Sequence, residues 1–176
     1  YKKAALIIYK VDKKTQEPLA GAKFKVTEID GTYIGEYITG ADGKAMIPKL
    51  APNWYVVTET AAPEGYNIDI QPSKNVQVKS GSPVTVKFEN DKNATLRIVK
   101  TDKVTGRPME NVEFTIVRDD GKTFGKHYTN KLGEINLEYK FPADTYLIRE
   151  TNTMKGYALD TNVRKVTLDW GDDHLI

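Results

Sequence analysis

Three polar residues in the N-terminal half of the chain each continue a row of apolar side chains. Lys10, Glu59 and Asn90 lie in stretches where apolar and polar residues alternate, a pattern typical of strands with one buried face. Side chains two positions apart in a strand share a face. The core-facing residues that precede the three are Leu6 and Ile8, Tyr55 and Val57, and Val84, Val86 and Phe88. We therefore expect an amine, a carboxyl group and an amide to face one core.

These three groups can react with one another. Burial favours the neutral forms of amines and carboxyl groups, and a neutral amine is a nucleophile while a neutral carboxylic acid donates protons. If Lys10 attacks the side-chain amide of Asn90 while Glu59 hydrogen-bonds the amide oxygen and relays the proton, the product is an isopeptide bond, and ammonia leaves. Well-oriented intramolecular reactions reach effective molarities of about 10⁵ to 10⁸ M. The reaction requires no cofactor and no metal.

Each residue alone also has an ordinary explanation. A lysine at a strand end commonly extends to solvent, a glutamate forms a surface ion pair, and an asparagine caps a turn. Two of the three positions recur in a second copy, which weakens the ordinary explanation. "LIIYKVDKKTQEPLAGAKF" (6–24) aligns with "LRIVKTDKVTGRPMENVEF" (96–114) without a gap at an offset of 90, and a later insertion makes it 91. Lys100 and Glu150 take the places of Lys10 and Glu59.

The alignment predicts two copies of one module. We place the first module at 1–92 and the second at 93–176, with the boundary in "ENDKNA". Each copy is a series of short alternating runs separated by Asp-Gly, Ser-Gly and Pro turns. No stretch has a sustained helical period. We predict an all-β protein made of two tandem immunoglobulin-like β-sandwiches with Greek-key connections.

The second module has no counterpart of Asn90 within the sequence. The spacing of Lys10 and Asn90 places the partner of Lys100 near position 180, beyond Ile176. Aligning Val84 with His174 gives the same result, so we expect the C-terminal strand of the second module to be truncated. Tyr1 aligns with Asp91, and we expect the chain to be a piece of a longer array.

Composition argues against several functions. The chain has 26 basic and 24 acidic residues without a basic block, which does not favour nucleic acid or membrane partners. It contains no cysteine, which excludes disulfides, thiolate metal sites and a cysteine nucleophile. No apolar run reaches the roughly 20 residues of a membrane span.

The motifs "KVD…PLAGAKF", "YVVTETAAPEGY" (55–66) and "VKFEN" (86–90) resemble the CnaB-type, prealbumin-like modules of Gram-positive cell-wall-anchored adhesins and pilins. The resemblance implies a spontaneous isopeptide bond between Lys10 and Asn90 assisted by Glu59, with Lys100 and Glu150 at the matching positions. It also implies an extracellular stalk, anchored to the cell wall through regions outside this chain. The expected partners are neighbouring modules of the same polypeptide, in a monomeric protein without enzymatic turnover beyond its single crosslinking event.

Three alternatives remain open. A hydrolase would need paired carboxylates or a nucleophile with its base in one cleft, but Glu59 and Glu150 belong to different modules and the two histidines are isolated. The Asp clusters at 118–121 and 170–174 could bind calcium, although turn chemistry also explains them. The third alternative is a ligand-binding adhesin domain, whose partner would be a host matrix protein. Aromatic residues that could line such a binding surface are Tyr33, Tyr37, Trp54, Tyr128 and Trp170. The two isolated histidines are His127 and His174.

Overall fold

The computed structural model describes residues 1–68 and 71–176, which form two compact units, Tyr1–Lys92 and Asn93–Ile176. The described residues contain strands and turns but no helix, and hence none that could cross a membrane. The prediction of an all-β protein with two sandwiches is confirmed. We refer to the two units below as the first and second modules.

The described residues of the first module, 1–68 and 71–92, form eight strands in two sheets. The strands are β1 (Ala4–Asp12), β2 (Lys23–Glu28), β3 (Tyr33–Ile38), β4 (Lys44–Leu50), β5 (Asn53–Ala61), β6 (Tyr66–Asn67), β7 (Ser73–Val78) and β8 (Val84–Lys92). One sheet has the order β4-β1-β8-β6 and the other the order β3-β2-β5-β7. The non-consecutive neighbours bring the first and the last long strand of the module side by side.

Alternation in the sequence produces the core between these sheets. In β1 every second residue from Ala4 to Lys10 is buried, and in β5 Tyr55, Val57 and Glu59 are the buried positions. β-Branched and aromatic residues, which suit a pleated half-buried surface, make up most of these strands. The core is formed by Leu6, Ile8, Phe24, Val26, Ala45, Ile47, Tyr55, Val57, Val76, Val78, Val86 and Phe88, among others.

The second module repeats this plan with seven strands. They are β9 (Ala94–Val99), β10 (Glu113–Arg118), β11 (Thr123–Tyr128), β12 (Glu134–Phe141), β13 (Asp144–Asn152), β14 (Val163–Leu168) and β15 (Asp173–Leu175). The sheets have the orders β11-β10-β13-β14 and β12-β9-β15. A separate apolar core includes Leu96, Ile98, Val112, Ile116, Phe141, Tyr146, Ile148 and Leu168.

The terminal strands of each module pair in parallel. β1 and β8 are in register from Leu6 opposite Val84 to Asp12 opposite Asn90. β9 and β15 pair in the same manner, with His174 opposite Leu96. This register matches the sequence alignment of Val84 with His174. The parallel arrangement places the end of β8 beside the end of β1, where Lys10 lies.

Candidate functional site

Three strands from both sheets bring Lys10, Glu59 and Asn90 together. Lys10 lies near the end of β1 and Asn90 lies in the adjacent β8, two residues beyond the direct partner of Lys10, which is Phe88. Glu59 comes from β5 in the opposite sheet. All three residues are buried. The polar groups therefore meet at one end of the apolar core, where the rows of Leu, Val and Phe side chains stop.

Glu59 bridges the other two groups. The amine Nζ of Lys10 lies 2.9 Å from Glu59 Oε2, and both side chains are 0% exposed. Asn90 Nδ2 donates a hydrogen bond of 2.9 Å to Glu59 Oε1. One carboxyl group thus contacts both the amine and the amide nitrogen that ammonia formation would release.

The orientation of the Asn90 amide differs from the sequence-based expectation. We expected Glu59 to hydrogen-bond the amide oxygen, but the amide nitrogen faces the carboxylate instead. An ionised carboxylate only accepts hydrogen bonds, so the NH₂ group is its compatible partner. Among the residues that the structure describes, none donates a hydrogen bond to Asn90 Oδ1.

A β-bulge follows Glu59, which alternation with Tyr55 and Val57 already places on the core face of β5. In the pairing of β2 with β5, Lys23 lies opposite Ala61 and Phe24 lies opposite Glu59, which leaves Thr60 as an additional residue. Bulges bend a strand and change the direction of neighbouring side chains. The same irregularity follows Glu150, where Glu113 lies opposite Asn152 and Phe114 opposite Glu150.

Gly43 holds the backbone of Lys10 in place. Its N–H and C=O groups belong to the turn before β4, and Gly43 O accepts a 2.7 Å hydrogen bond from Lys10 N. Gly43 has a φ of 74°, and an added Cβ would lie 2.6 Å from Lys10 O. Only glycine combines this conformation with so close an approach. Gly133 contacts Lys100 O in the same way at a φ of 72°.

The second module contains the amine and the carboxylate without a counterpart of Asn90 on the last strand. Lys100 Nζ lies 3.3 Å from Glu150 Oε1, and the lysine side chain is 26% exposed while the glutamate side chain is 2% exposed. Glu150 Oε2 accepts a 2.6 Å hydrogen bond from the backbone N–H of Asp160. The pairing of β15 with β9 reaches Arg97 opposite Leu175. The sequence ends before the position that corresponds to Asn90.

The other residues considered in the sequence lie apart from this site. His127 Nε2 contacts the carbonyl oxygen of Phe124 at 2.7 Å, and His174 lies in β15. Asp120 forms an ion pair with Arg118, and that guanidinium lowers the pKa of Asp120 to about 2. Residues 1–68 and 71–176 contain no group of three His, Asp or Glu side chains arranged to hold a metal ion. Trp54, Tyr33 and Tyr128 are exposed, whereas Tyr37 packs against the core.

A polar pair next to the site was not predicted from the sequence. Tyr66 Oη donates a 2.8 Å hydrogen bond to Asp12 Oδ2, and Asp12 lies two residues after Lys10 on the same face of β1. The counterparts in the second module, Tyr157 and Asp102, form the same bond at 2.7 Å. The repeat alignment was the available signal, because it carries Asp12 onto Asp102 and Tyr66 onto Tyr157.

A family model and a curated relative match the chain. The model of the SpaA prealbumin-like fold domain matches twice, over residues 4–92 and 94–174. A collagen adhesin of Staphylococcus aureus is 37% identical over 73 residues, which are 38% of this chain and 6% of the relative. The chain therefore spans only a small part of that relative's length.

Solved structures share the fold. The Bacillus anthracis TIE protein is 27% identical with a TM-score of 0.50, over 99% of this chain and 33% of that one. The shaft pilin SpaA from Lactobacillus rhamnosus GG is 17% identical with a TM-score of 0.60, over 99% of this chain and 97% of that one. At that identity the pilin likeness concerns the fold alone.

Proposed function

Because the chain belongs to the family of SpaA prealbumin-like fold domains, we propose that it is a stalk region of a Gram-positive surface adhesin or pilin, stiffened by an isopeptide bond that forms between Lys10 and Asn90. The observation that supports this proposal is the contact of one buried carboxyl group, that of Glu59, with both reactants. Lys100 and Glu150 are a second candidate pair, with no amide partner in this sequence. Apart from this single intramolecular reaction, we propose no enzymatic activity for the chain.

The reaction begins with a proton transfer. Lys10 and Glu59 form a fully buried ion pair, and transfer of a proton between them removes the desolvation cost of two buried charges. The proton moves from Nζ to Oε2 over a distance of 2.9 Å. The neutral amine is then able to attack the amide carbon Cγ of Asn90.

Glu59 then protonates the leaving group, the amide nitrogen of Asn90. The new Nζ–Cγ bond forms, the Cγ–Nδ2 bond breaks, and the Glu59 carboxyl group, whose Oε1 already contacts Nδ2, turns so that the proton on Oε2 passes to Nδ2. Glu59 takes back one proton from the former amine, so the products are a neutral amide, ammonia and a protonated carboxyl group. The site begins with two buried charges and ends with none, which removes a desolvation cost.

The position of the bond suits a protein under tension. β1 and β8 lie side by side in parallel, and only Asn93 separates β8 from β9. A covalent link from Lys10 to Asn90 transmits force directly between the first and last strands, so the residues between them carry little load. By the loop-entropy relation developed for disulfides, closing this loop contributes about 4.5 kcal/mol. We propose neighbouring modules of the same polypeptide as partners, a monomeric state, and cell-wall anchoring through regions outside this chain.

Intact-mass spectrometry tests the proposed bond. The chain is expected to weigh one ammonia less than its sequence mass, and tryptic mapping is expected to join the peptides that contain Lys10 and Asn90. Glu59→Gln is expected to fold and retain the ammonia, because a neutral amide cannot take the proton of the amine. Glu150→Gln in the second module is the matched control and should leave the mass loss unchanged. A mature wild-type chain of unmodified mass would refute the crosslink.

A second candidate function is the binding of a host matrix protein. One observation favours it: Ile29, Tyr33 and Trp54 lie exposed on the first module, and Ile29 N donates a 3.1 Å hydrogen bond to Trp54 O, which places two of them side by side. The similarity to a collagen adhesin makes collagen the first ligand to test. Saturable binding to immobilised collagen that Trp54→Ala abolishes and Tyr128→Ala retains would support this function. Equal binding by both variants would argue against this surface.

A further inference from the structure

The hydrogen bond between Tyr66 and Asp12 joins three segments that meet at the candidate site. Asp12 is the direct partner of Asn90 in the pairing of β1 with β8. Tyr66 lies in β6, which pairs with β8 at Lys92. The tyrosine hydroxyl therefore reaches across β8 to β1. The segment that follows Glu59 is thus connected to β1 by this hydrogen bond and to β8 by the pairing of β6 with β8. These two strands carry Lys10 and Asn90.

Asp12 also fixes the backbone next to Asn90. Its Oδ1 accepts hydrogen bonds from the N–H groups of Lys14 at 2.8 Å and Thr15 at 3.1 Å. Within the same turn, Lys13 N donates a 2.9 Å hydrogen bond to Asn90 O. The carboxylate thus orders the turn that holds the main chain of Asn90.

The charge state of Asp12 is compatible with this role. Its burial acts to raise the pKa, but the hydrogen bonds from Thr15 and Tyr66 outweigh burial and hold the pKa below its ordinary value. The side chain is therefore an acceptor at neutral pH. It accepts from Tyr66 and from two backbone N–H groups at the same time.

The equivalent pair in the second module is more open. Tyr157 donates to Asp102 at a similar distance, but Tyr157 is exposed and Asp102 is half-buried, whereas Tyr66 is half-buried and Asp12 is buried. The pair is a common element of both modules. Both of its members are more buried in the first module, where the amine, carboxyl and amide groups lie together.

We propose that Tyr66 and Asp12 are positioning residues for isopeptide formation, forming a latch that holds Asn90 against Lys10 and closes that end of the core to water. The inference rests on the proposed function, since it concerns the rate of the same bond. Excluding water strengthens the interactions of the buried groups. Holding Cγ of Asn90 within reach of Nζ matters because small displacements of reacting groups can slow a reaction by about a hundredfold.

The rate of ammonia loss tests the latch. Freshly synthesised full-length chain from cell-free translation is followed by intact-mass spectrometry over time. Tyr66→Phe, which keeps the ring, and Asp12→Asn are each expected to slow the loss roughly tenfold or more. The double variant should be no slower than the slower single variant, because the two groups act as a unit. Tyr157→Phe breaks the equivalent bond of the second module and should leave the rate unchanged.

Folding must be separated from positioning. The same substitutions are introduced beside Lys10→Ala, which cannot crosslink, and thermal unfolding shows whether the first module is folded at the assay temperature. Slow maturation of a folded Tyr66→Phe chain supports the latch. A wild-type rate, or a loss of rate explained by unfolding, overturns it. If wild-type chain itself never loses ammonia, the proposed function fails instead, so the two failures are distinct.

Discussion

Lys10 and Lys100 occupy corresponding positions in the two modules, but their surroundings differ. Lys10 is fully enclosed with Glu59 and Asn90, whereas a quarter of the Lys100 side chain reaches solvent. The strands that carry the glutamates, β5 and β13, each have nine residues. The first strands differ, since β1 extends past Lys10 to Asp12 whereas β9 ends at Val99, before Lys100. The last strands differ as well, covering Val84–Lys92 in the first module and Asp173–Leu175 in the second. Enclosure of the lysine therefore accompanies longer first and last strands.

This comparison shows that the site is assembled from long-range contacts. A lysine at the end of the first strand and a glutamate on the facing sheet are enough to form an ion pair, as Lys100 and Glu150 demonstrate. They are not enough to exclude water from it, because the Lys100 side chain is 26% exposed. Since the second pair is less enclosed and has no amide hydrogen-bonded to its carboxylate, we expect it to be much less reactive than the first.

The largest expected effect comes from removing the amide of the first module. Asn90→Ala prevents the crosslink and is expected to lower the free energy of unfolding of the first module by about 4.5 kcal/mol. Thermal unfolding of the full chain measures this change. Asn162→Ala, next to Lys100 and Glu150 in the second module, is the control and should change stability by no more than about 0.5 kcal/mol. Equal effects of both substitutions would contradict the comparison.

An intermediate effect is expected at the turn glycines. Gly43→Ala and Gly133→Ala both place a methyl group against a lysine carbonyl oxygen at positive φ, and each should destabilise its module by about 1–3 kcal/mol. Only Gly43→Ala should also slow ammonia loss, because it displaces the backbone of Lys10. Chemical denaturation and a mass time course measure the two effects. Normal maturation of Gly43→Ala would show that the site tolerates movement of β1.

The smallest expected effect appears at high pH in the second module. Burial, followed by the charge of Asp144, raises the pKa of Tyr146 to about 12, and Tyr146 Oη donates a 2.6 Å hydrogen bond to Pro142 O. The neutral phenol stabilises the fold fully below pH 10, and this contribution is lost as the pH rises from 10 to about 12. Near pH 11 the loss should be about 1 kcal/mol, measurable by urea unfolding.

Tyr146→Phe provides the control for this titration. Its urea midpoint should vary less between pH 10 and 12 than that of the wild-type chain, because no phenol is left to ionise at this position. The first module, with its proposed crosslink, should lose less of its structure over the same range. The first module contains a buried tyrosine too, Tyr55, whose pKa is also raised by burial. A steeper fall in the stability of the first module with pH would show that the crosslink does not offset the ionisation of Tyr55.

Much of the fold and the central part of the site follow from local patterns. Alternation with a period of two identifies the strands, and the rows ending in Lys10, Glu59 and Asn90 identify the buried polar groups. The repeat predicts where Lys100 and Glu150 lie. These features are readable because a strand's two faces are fixed by the sequence order of its residues.

Other features depend on pairing that a single sequence does not specify. β6 consists of Tyr66 and Asn67 alone, and nothing in so short a segment indicates that it pairs with β8. The bond from Tyr66 to Asp12 is therefore not apparent from the sequence. The direction of the Asn90 amide is equally hidden, since it follows from the charge of Glu59. Gly43 is recognisable as a turn residue, but its contact with Lys10 O requires β1 and β4 to be neighbours.

The parallel pairing of β1 with β8 has a consequence for resistance to proteases. With Lys10 joined to Asn90, the backbone from one to the other becomes a closed ring. A single cut in the turn between β7 and β8 would open this ring but leave both fragments covalently attached. The same cut in a chain that carries Lys10→Ala would leave the two fragments held only by noncovalent contacts. One nick would thus divide a module that lacks the crosslink and leave a crosslinked module covalently continuous from end to end.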